Sequence, residues 1–223
     1  KGGYTMSDKT RLSQIPWESH DIEELKGLLR IGAHEDTEIT AYGDWGMKKN
    51  TKNKEHLITH VFCSACAIAY NGFGSDPWKP LAKLILEACY EATLYVGLEN
   101  FHRHRDKHPH ANKVFLTLVG GGAFGNPSLW IFEAIEKACM KFRNTPLNVR
   151  IVSFGQSEMS RIRSVQGFQG FKFSERFTSP SLHSELRTRV EINQIRTTRA
   201  KGSKNDPPLK TFVKSHDPHS NPI

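Results

Sequence analysis

The sequence predicts an α/β fold in which parallel strands are joined by helices that cover the sheet. Two almost continuously apolar segments, His56–Ala69 and Lys113–Val119, have the composition of strands that are covered on both faces. Each leads through a glycine-containing loop into a segment whose apolar residues recur every three or four positions, as in a helix. A third strand-like segment, Leu147–Phe154, follows the second helix. This alternation of strands and helices is typical of a parallel sheet.

The first part of the chain predicts shorter elements. A helix is expected to begin near Ser19 or Asp21, either of which can cap it, and to end at Gly32. Residues 37–40 have the composition of a strand, and the glycine- and lysine-rich residues 43–54 predict an exposed loop.

Two longer helices are predicted from their apolar stripes. The first follows the loop at residues 71–77, spans about five turns and carries the stripe Leu81, Leu84, Ile85, Ala88, Ala92 and Tyr95. The second begins at Pro127 and Ser128, which suit a first helical turn, and carries Ile131, Ile135, Ala138, Cys139 and Phe142.

The C-terminal part of the chain is basic and less regular. Residues 161–223 hold 12 Lys and Arg against 5 Asp and Glu, whereas residues 1–160 hold 19 against 18. We expect a polar N-terminal segment (1–20), a core (21–160), a basic, partly ordered extension (161–195) with a weak helix near 182–195, and a disordered tail (196–223). A basic groove within the core is not predicted, although the tail could contact polyanions without sequence preference.

Composition excludes several other classes of protein. With 223 residues, 37% hydrophobic and 24% charged, the chain can form one ordinary globular core. Its longest apolar runs fall short of the roughly 20 residues of a membrane-spanning helix, and its first residues do not resemble a signal peptide. The cysteines lie in apolar stretches and predict buried free thiols in an intracellular protein, cytoplasmic or nuclear: Cys63, Cys66, Cys89 and Cys139.

The glycine loop between the second strand and the second helix is the most informative motif. Its residues are Gly120, Gly121, Gly122, Ala123, Phe124, Gly125 and Asn126. A strand that ends in glycines and opens a helix presents backbone N–H groups and the positive end of the helix dipole, which together favour a phosphate. The alternative is that the glycines only permit a tight turn. The spacing matches neither a dinucleotide-binding fingerprint nor a P-loop.

The strand, the glycine loop with its Phe-Gly pair, the proline and the helix resemble the second phosphate-binding loop of macrodomains, the ADP-ribose-binding α/β/α modules. Residues 33–40 resemble the Gly-Glu-Ala-x-Ile-Thr segment of that family, and residues 57–61 resemble its Ile-Ile-His-x-Val strand. The resemblance implies a three-layer α/β/α sheet in which residues 21–155 form the later two thirds. The first strands would then be lacking, with Gly2–Gly3 as a remnant of the first ligand loop.

The same resemblance implies the ligand and its contacts. Residues 120–126 would wrap the pyrophosphate and distal ribose of ADP-ribose, with Phe124 packed on the ribose and Ser64 and Ala65 beside the loop. Phe154 would border the adenine or ribose, or would simply be a core residue. No metal and no cofactor is implied, since ADP-ribose acts as ligand or product.

Candidate acids for catalysis lie upstream of the loop. The amino-acid sequences of several segments resemble a branch of the family that includes hydrolases of arginine-linked ADP-ribose. Breaking that C–N bond passes through a cation-like state that a carboxylate stabilises, and the candidates are Asp36, Glu38 and Asp44. Each could instead be a solvated surface carboxylate. Glu87 and Glu91 are expected to form salt bridges on a helix surface, with a role as second-site acids as the alternative.

Three functions therefore remain as hypotheses. The first is a mono-ADP-ribosyl-protein hydrolase, the second is a non-catalytic reader of ADP-ribose or ADP-ribosylated proteins, and the third is a nucleic-acid-binding protein that uses the basic tail. A membrane partner is not expected. The loop histidines His102, His104, His108 and His110 predict a solvated basic loop rather than a metal site, because cysteines and paired acids at zinc spacing are lacking.

Overall fold

The computed structural model describes residues 3–39, 41–42, 49–50, 54–152, 172–176 and 189–193. Its helices are α1 (Lys9–Ser13), α2 (Ile22–Gly27), α3 (Lys79–His104) and α4 (Ser128–Lys141). Short 3-10 turns span Trp17–Ser19, Ile68–Asn71 and Asp76–Trp78. The strands are β1 (Gly32–Glu38), β2 (Ala41–Tyr42), β3 (Lys49–Asn50), β4 (Leu57–Phe62), β5 (Lys113–Leu116), β6 (Asn148–Val152), β7 (Lys172–Arg176) and β8 (Arg189–Asn193).

The strands form three separate sheets. Strands β1 and β4 make an antiparallel ribbon, and β2 and β3 pair antiparallel. The third sheet has the order β5-β6-β8-β7, in which β5 and β6 are parallel while β8 runs antiparallel to both of its neighbours. The order β4, α3, β5, glycine loop, α4, β6 confirms the predicted α/β class. Of the three strands predicted to be parallel neighbours, only β5 and β6 pair with each other among the described residues.

One hydrophobic core holds α3, α4 and the β5–β6 pair together. Buried residues of α3 and α4 pack with alternate residues of the two strands, namely Val114, Leu116, Val149 and Ile151. Phe115, between two of these, is 49% exposed. In the described part of the chain the helices therefore cover one face of this pair, whereas the sequence predicts cover on both faces.

The first predicted strand differs most from the expectation. Strand β4 ends at Phe62, and its only strand partner among the described residues is β1. It is not a central strand, because Phe62 is 57% exposed and Leu57 is exposed as well. The apolar run continues past Cys63 as a loop and a 3-10 turn, and residues 65–68 are buried in the core there. Hydrophobicity in this run thus reflects a buried loop as much as a strand.

Two helix predictions also change. Asp21 caps α2 as expected, accepting from the Glu23 and Glu24 amides, but the helix ends at Gly27 rather than at Gly32. Residues 189–193, expected to be helical, form β8. The alternation of Val190 and Ile192 with polar residues has the two-residue period of a strand and explains the difference.

A cluster of ion pairs joins α2, α3 and α4. The carboxylates of Glu87 and Glu91 on α3 are buried, at 6% and 9% exposure. Lys137 on α4 lies 2.6 Å from Glu87, Lys141 lies 2.7 Å from Glu91, and Lys26 on α2 lies 2.9 Å from Glu91. The predicted salt bridges therefore form, but they lie between helices and are largely buried, where the loss of one partner leaves an unpaired charge.

The same cluster shifts three pKa values. Burial by itself would lower the pKa of Lys26, but the hydrogen bonds that Lys26 donates to Glu23 and Glu91 outweigh it, so the pKa is raised. The pKa of Lys141 is raised because contacts with Glu91 likewise outweigh its burial. The hydrogen bond from Lys26 lowers the pKa of Glu23. All three shifts favour the charged forms and thus the ion pairs.

Candidate functional site

The loop between β5 and α4 has a backbone that requires glycine at two positions. Gly120 has φ +79° and Gly125 has φ +70°, both in the left-handed region. A Cβ atom at Gly120 would lie 2.5 Å from the Cβ of Ala65, and one at Gly125 would lie 2.9 Å from the Cβ of Ala69. The loop is therefore packed directly on the buried segment that follows β4.

The loop amides divide into two groups. Those of Gly121, Gly125 and Asn126 donate to carbonyl groups within the loop or just before it, at 3.1, 3.0 and 2.9 Å. Those of Gly122, Ala123 and Phe124 have no hydrogen-bond acceptor among the described residues. Gly122 and Ala123 are also exposed. Three successive N–H groups ahead of α4 are thus available to an anion.

The Asn126 side chain anchors the glycine loop to the buried segment that follows β4. It is 3% exposed, and its side-chain amide donates to the carbonyls of Cys66, at 2.8 Å, and Gly120, at 3.2 Å. Its Oδ1 atom is buried without a hydrogen-bond donor among the described residues. Asn126 thus holds the two ends of the loop and the buried segment 65–69 together.

Tyr90 on α3 holds the loop from the side of β5. Its hydroxyl donates to the Thr117 carbonyl at 2.8 Å and accepts from the Val119 amide at 3.0 Å. Burial raises the pKa of this phenol, so it stays protonated and able to donate. Sequence analysis did not identify Tyr90, because its role depends on a contact between α3 and residues far along the chain.

Phe124 belongs to a cluster of three aromatic rings. Its ring centroid lies 5.7 Å from that of Tyr4 and 5.7 Å from that of Tyr70, and the two tyrosines are 5.0 Å apart, all in edge-to-face geometry. The Ser7 amide donates to the Asn71 side chain at 3.1 Å and keeps the N-terminal segment near this cluster. Both tyrosines remain nearly half exposed.

A cavity of about 770 Å³ lies between β4, α3 and β5. Its lining includes Cys63 after β4, Tyr90, Thr93 and Asn100 of α3, and Leu116 of β5. It reaches Thr117 and Val119 at the start of the loop, and residues 120–126 are not part of its lining. Strands β4 and β5 are not paired with each other across it.

Asp36 lies at the far end of this cavity, within an irregularity of β1 where its φ is +51°. Its carboxylate is 2.9 Å from Nε2 of His104 and 3.7 Å from Arg103. His104 ends α3, whereas Tyr90, which contacts the loop, lies 14 residues earlier, about 21 Å along the helix axis. Asp36 is therefore not brought to the glycine loop.

The remaining candidates are distributed as follows. Glu38 is exposed and pairs with Leu57 at the start of β4, on the same end of the ribbon as Asp36. Ala65 lies against Gly120, and Ser64 precedes it with an exposed side chain. Asp44 and Phe154 lie outside the described residues.

The described residues contain no group of three or more His, Cys, Asp or Glu side chains arranged to hold a metal ion. Nor does any helix within those residues combine the length and apolar character needed to cross a membrane. His102 and His104 form part of the last turn of α3 rather than of a loop.

Comparison of the chain with models of known protein families, with curated proteins and with solved structures found no match. The function is therefore inferred from the chain's own residues and their geometry.

Proposed function

We propose that the glycine loop binds the diphosphate of ADP-ribose, and that the protein is an ADP-ribose-binding module of the macrodomain type that acts inside the cell. The observation that carries the proposal is the run of three successive amides, Gly122 to Phe124, without acceptors among the described residues. A diphosphate offers several acceptor oxygens at the spacing of neighbouring peptide groups. The N-terminus of α4 adds the positive end of a helix dipole.

The shape of the loop supports close approach of a phosphate. A Cβ atom at Gly122 would meet no atom within 4 Å, so the space beside this residue is open. Gly120 and Gly125, in contrast, are packed against Ala65 and Ala69 and keep the backbone in place. A preorganised loop with open space at its centre binds an anion without a large ordering cost.

The aromatic cluster beside the loop supports a nucleotide-sugar rather than a simple phosphate. Tyr4, Tyr70 and Phe124 offer partly exposed rings next to the amides. Adenine and ribose are attached to the two ends of the diphosphate and have faces that pack on aromatic rings. A ligand with the diphosphate on the loop can therefore place one of these groups on the cluster.

Hydrolysis of arginine-linked ADP-ribose is the second candidate function. It needs a carboxylate near the anomeric carbon. Asp36 and Glu38 lie on the ribbon end away from the loop, so Asp44, within its Gly-Asp-Trp-Gly sequence, is the acid to test first. A binding function needs none of these acids, and binding is therefore the function that the loop geometry favours.

Calorimetric titration with ADP-ribose tests the binding proposal. We expect the wild type to bind ADP-ribose and Gly122→Val to bind at least 10-fold more weakly, since a branched side chain would cover the amides. Gly74→Val is the matched control, because Gly74 also has open space around it but lies in another loop. Absence of binding by the wild type, or equal affinities of all three proteins, would contradict the proposal.

Turnover separates the two functions. Arginine-ADP-ribosylated protein would be incubated with wild type, Asp44→Asn and Asp36→Asn, with release of ADP-ribose followed by mass spectrometry. Loss of release in Asp44→Asn while ADP-ribose still binds identifies a hydrolase. Binding without release by the wild type identifies a reader.

A further inference from the structure

Two cysteines lie close together at the wall of the large cavity. Cys63 directly follows β4, is half-buried and lines the cavity. Cys89 on α3 is buried at 2% exposure, and its sulfur lies 3.7 Å from the carbonyl oxygen of Ser64. Cys89 therefore contacts the residue next to Cys63. Both thiols are free, and one of them can be reached from the cavity.

The two thiols differ in acidity. A hydrogen bond from Cys89 lowers the pKa of Cys63 to about 7, against the opposing effect of burial and with a smaller contribution from Thr93. The same hydrogen bond and burial raise the pKa of Cys89. At pH 7 a larger fraction of Cys63 is therefore the nucleophilic thiolate than in an unperturbed cysteine, which is a few per cent thiolate.

We propose that Cys63 is an oxidation site for hydroperoxides, and that Cys89 converts the oxidised Cys63 to a Cys63–Cys89 disulfide. The Cys63 thiolate attacks one oxygen of the hydroperoxide and the O–O bond breaks, which forms a sulfenic acid. The other oxygen leaves and takes up the proton that was released when the Cys63 thiol ionised, so it departs as an alcohol, or as water from hydrogen peroxide. Oxidation of Cys63 removes the thiolate charge that contributes to the raised pKa of Cys89, and the Cys89 sulfur then attacks the sulfenic sulfur. Hydroxide leaves with the proton of Cys89 as water, so one hydroperoxide is reduced and two thiols are oxidised.

The other two cysteines provide internal controls. Cys66 lies in the buried segment after β4 and Cys139 lies on α4, and neither lines the cavity. Burial raises the pKa of Cys66 to about 11 and that of Cys139 to about 12. Both should remain reduced under conditions in which Cys63 reacts.

The experiment uses the full chain at pH 7 with one equivalent of hydrogen peroxide, followed by blocking of free thiols and peptide mass spectrometry. We expect the wild type to lose two of its four thiols and to yield a linked pair of peptides that contain Cys63 and Cys89. In Cys89→Ser, dimedone should trap a sulfenic acid at Cys63. In Cys63→Ser, peroxide consumption should fall to the level of the blocked protein.

The wild-type peptide map decides the outcome even if a variant does not fold. Equal oxidation of Cys66 or Cys139, or a wild type that keeps all four thiols, would overturn the proposal. A second measurement is the rate of alkylation of Cys63 against pH, which should be half-maximal near pH 7. A midpoint near that of an ordinary thiol, about 8.5, would equally contradict it.

Discussion

Gly120 packs so closely on Ala65 that a Cβ atom at Gly120 would lie 2.5 Å from the Ala65 Cβ. The two residues belong to the loop before α4 and to the buried segment after β4, so their contact brings together two parts of the chain that each follow a strand. The position of the candidate phosphate-binding amides depends on this contact.

Gly120→Ala should therefore destabilise the protein. Its positive φ alone is strained for alanine by about 1–3 kcal/mol, and the overlap with Ala65 adds to this. Gly122→Ala is the matched control, because its Cβ would meet no atom within 4 Å, and we expect no loss of stability from it. Urea unfolding measures the free energy of unfolding of both variants. Equal values would contradict the close packing of Gly120 on Ala65.

Tyr90→Phe should cost about 1–3 kcal/mol of unfolding free energy, because it leaves the Thr117 carbonyl and the Val119 amide without their partner. Tyr95→Phe is the control, since Tyr95 is on the same helix but 43% exposed. The comparison is made by thermal or urea unfolding. If Tyr90→Phe were as stable as Tyr95→Phe, the hydroxyl would not anchor the loop.

Glu91→Gln should destabilise the junction of α2, α3 and α4 by about 3 kcal/mol, because Lys26 and Lys141 lose a buried counterion. Glu24→Gln, in the first turn of α2, is the exposed control. The variants are compared by urea unfolding at pH 7. A Glu91→Gln protein no less stable than Glu24→Gln would mean that the cluster is solvated.

The same cluster predicts a dependence of stability on pH. The pKa values of Lys26 and Lys141 in the folded protein are raised above the ordinary 10.5. The two lysines therefore stabilise the folded state fully below pH 10.5, and this stabilisation is lost as the pH rises through their folded-state pKa values. The pKa of Glu23 is lowered in the folded protein, so Glu23 stabilises the folded state above pH 4.5, and this stabilisation is lost as the pH falls through the lowered pKa. The stability difference between wild type and Glu91→Gln should thus narrow above pH 10.5. A constant difference up to pH 12 would contradict this assignment.

Two substitutions of Asp36 separate the effect of its charge on stability from the effect of its backbone conformation. Asn tolerates a positive φ about as well as Asp does, so Asp36→Asn should lose only the partly exposed ion pair with Arg103 and the contact with His104, about 0.5 kcal/mol. Asp36→Ala should lose about 1 kcal/mol more, because alanine is strained at φ +51°. Equal losses in both variants, measured by urea unfolding, would show that the positive φ is not maintained in solution.

The sequence predicted elements whose signal is local. The strand, glycine loop and α4 follow from a short apolar run, the glycines and Pro127, and Asp21 caps α2 because its side chain reaches the next amides. Composition could not separate strand from buried loop within residues 56–69, since both exclude water equally well.

Contacts between distant segments could not be predicted. The packing of Tyr4 on Phe124 and the hydroxyl of Tyr90 on Thr117 depend on how the elements pack together in the folded chain. The same holds for the lysines that pair with Glu87 and Glu91, because they come from two other helices. A helix-surface pattern predicted an ion pair there without indicating its partner or its burial.

The gap between β4 and β5 has a dynamic consequence. Since no ladder of backbone hydrogen bonds between described strands crosses the cavity, the β1–β4 ribbon can open without breaking the sheet that contains β5 and β6. Amides of β1 and β4 should therefore exchange with deuterium through a subglobal opening of low free energy. Amides of β5 and β6 should exchange only when the whole core unfolds. We therefore expect two units that unfold cooperatively and at different rates, the β1–β4 ribbon and the core that contains β5 and β6, although the same helix, α3, contacts both.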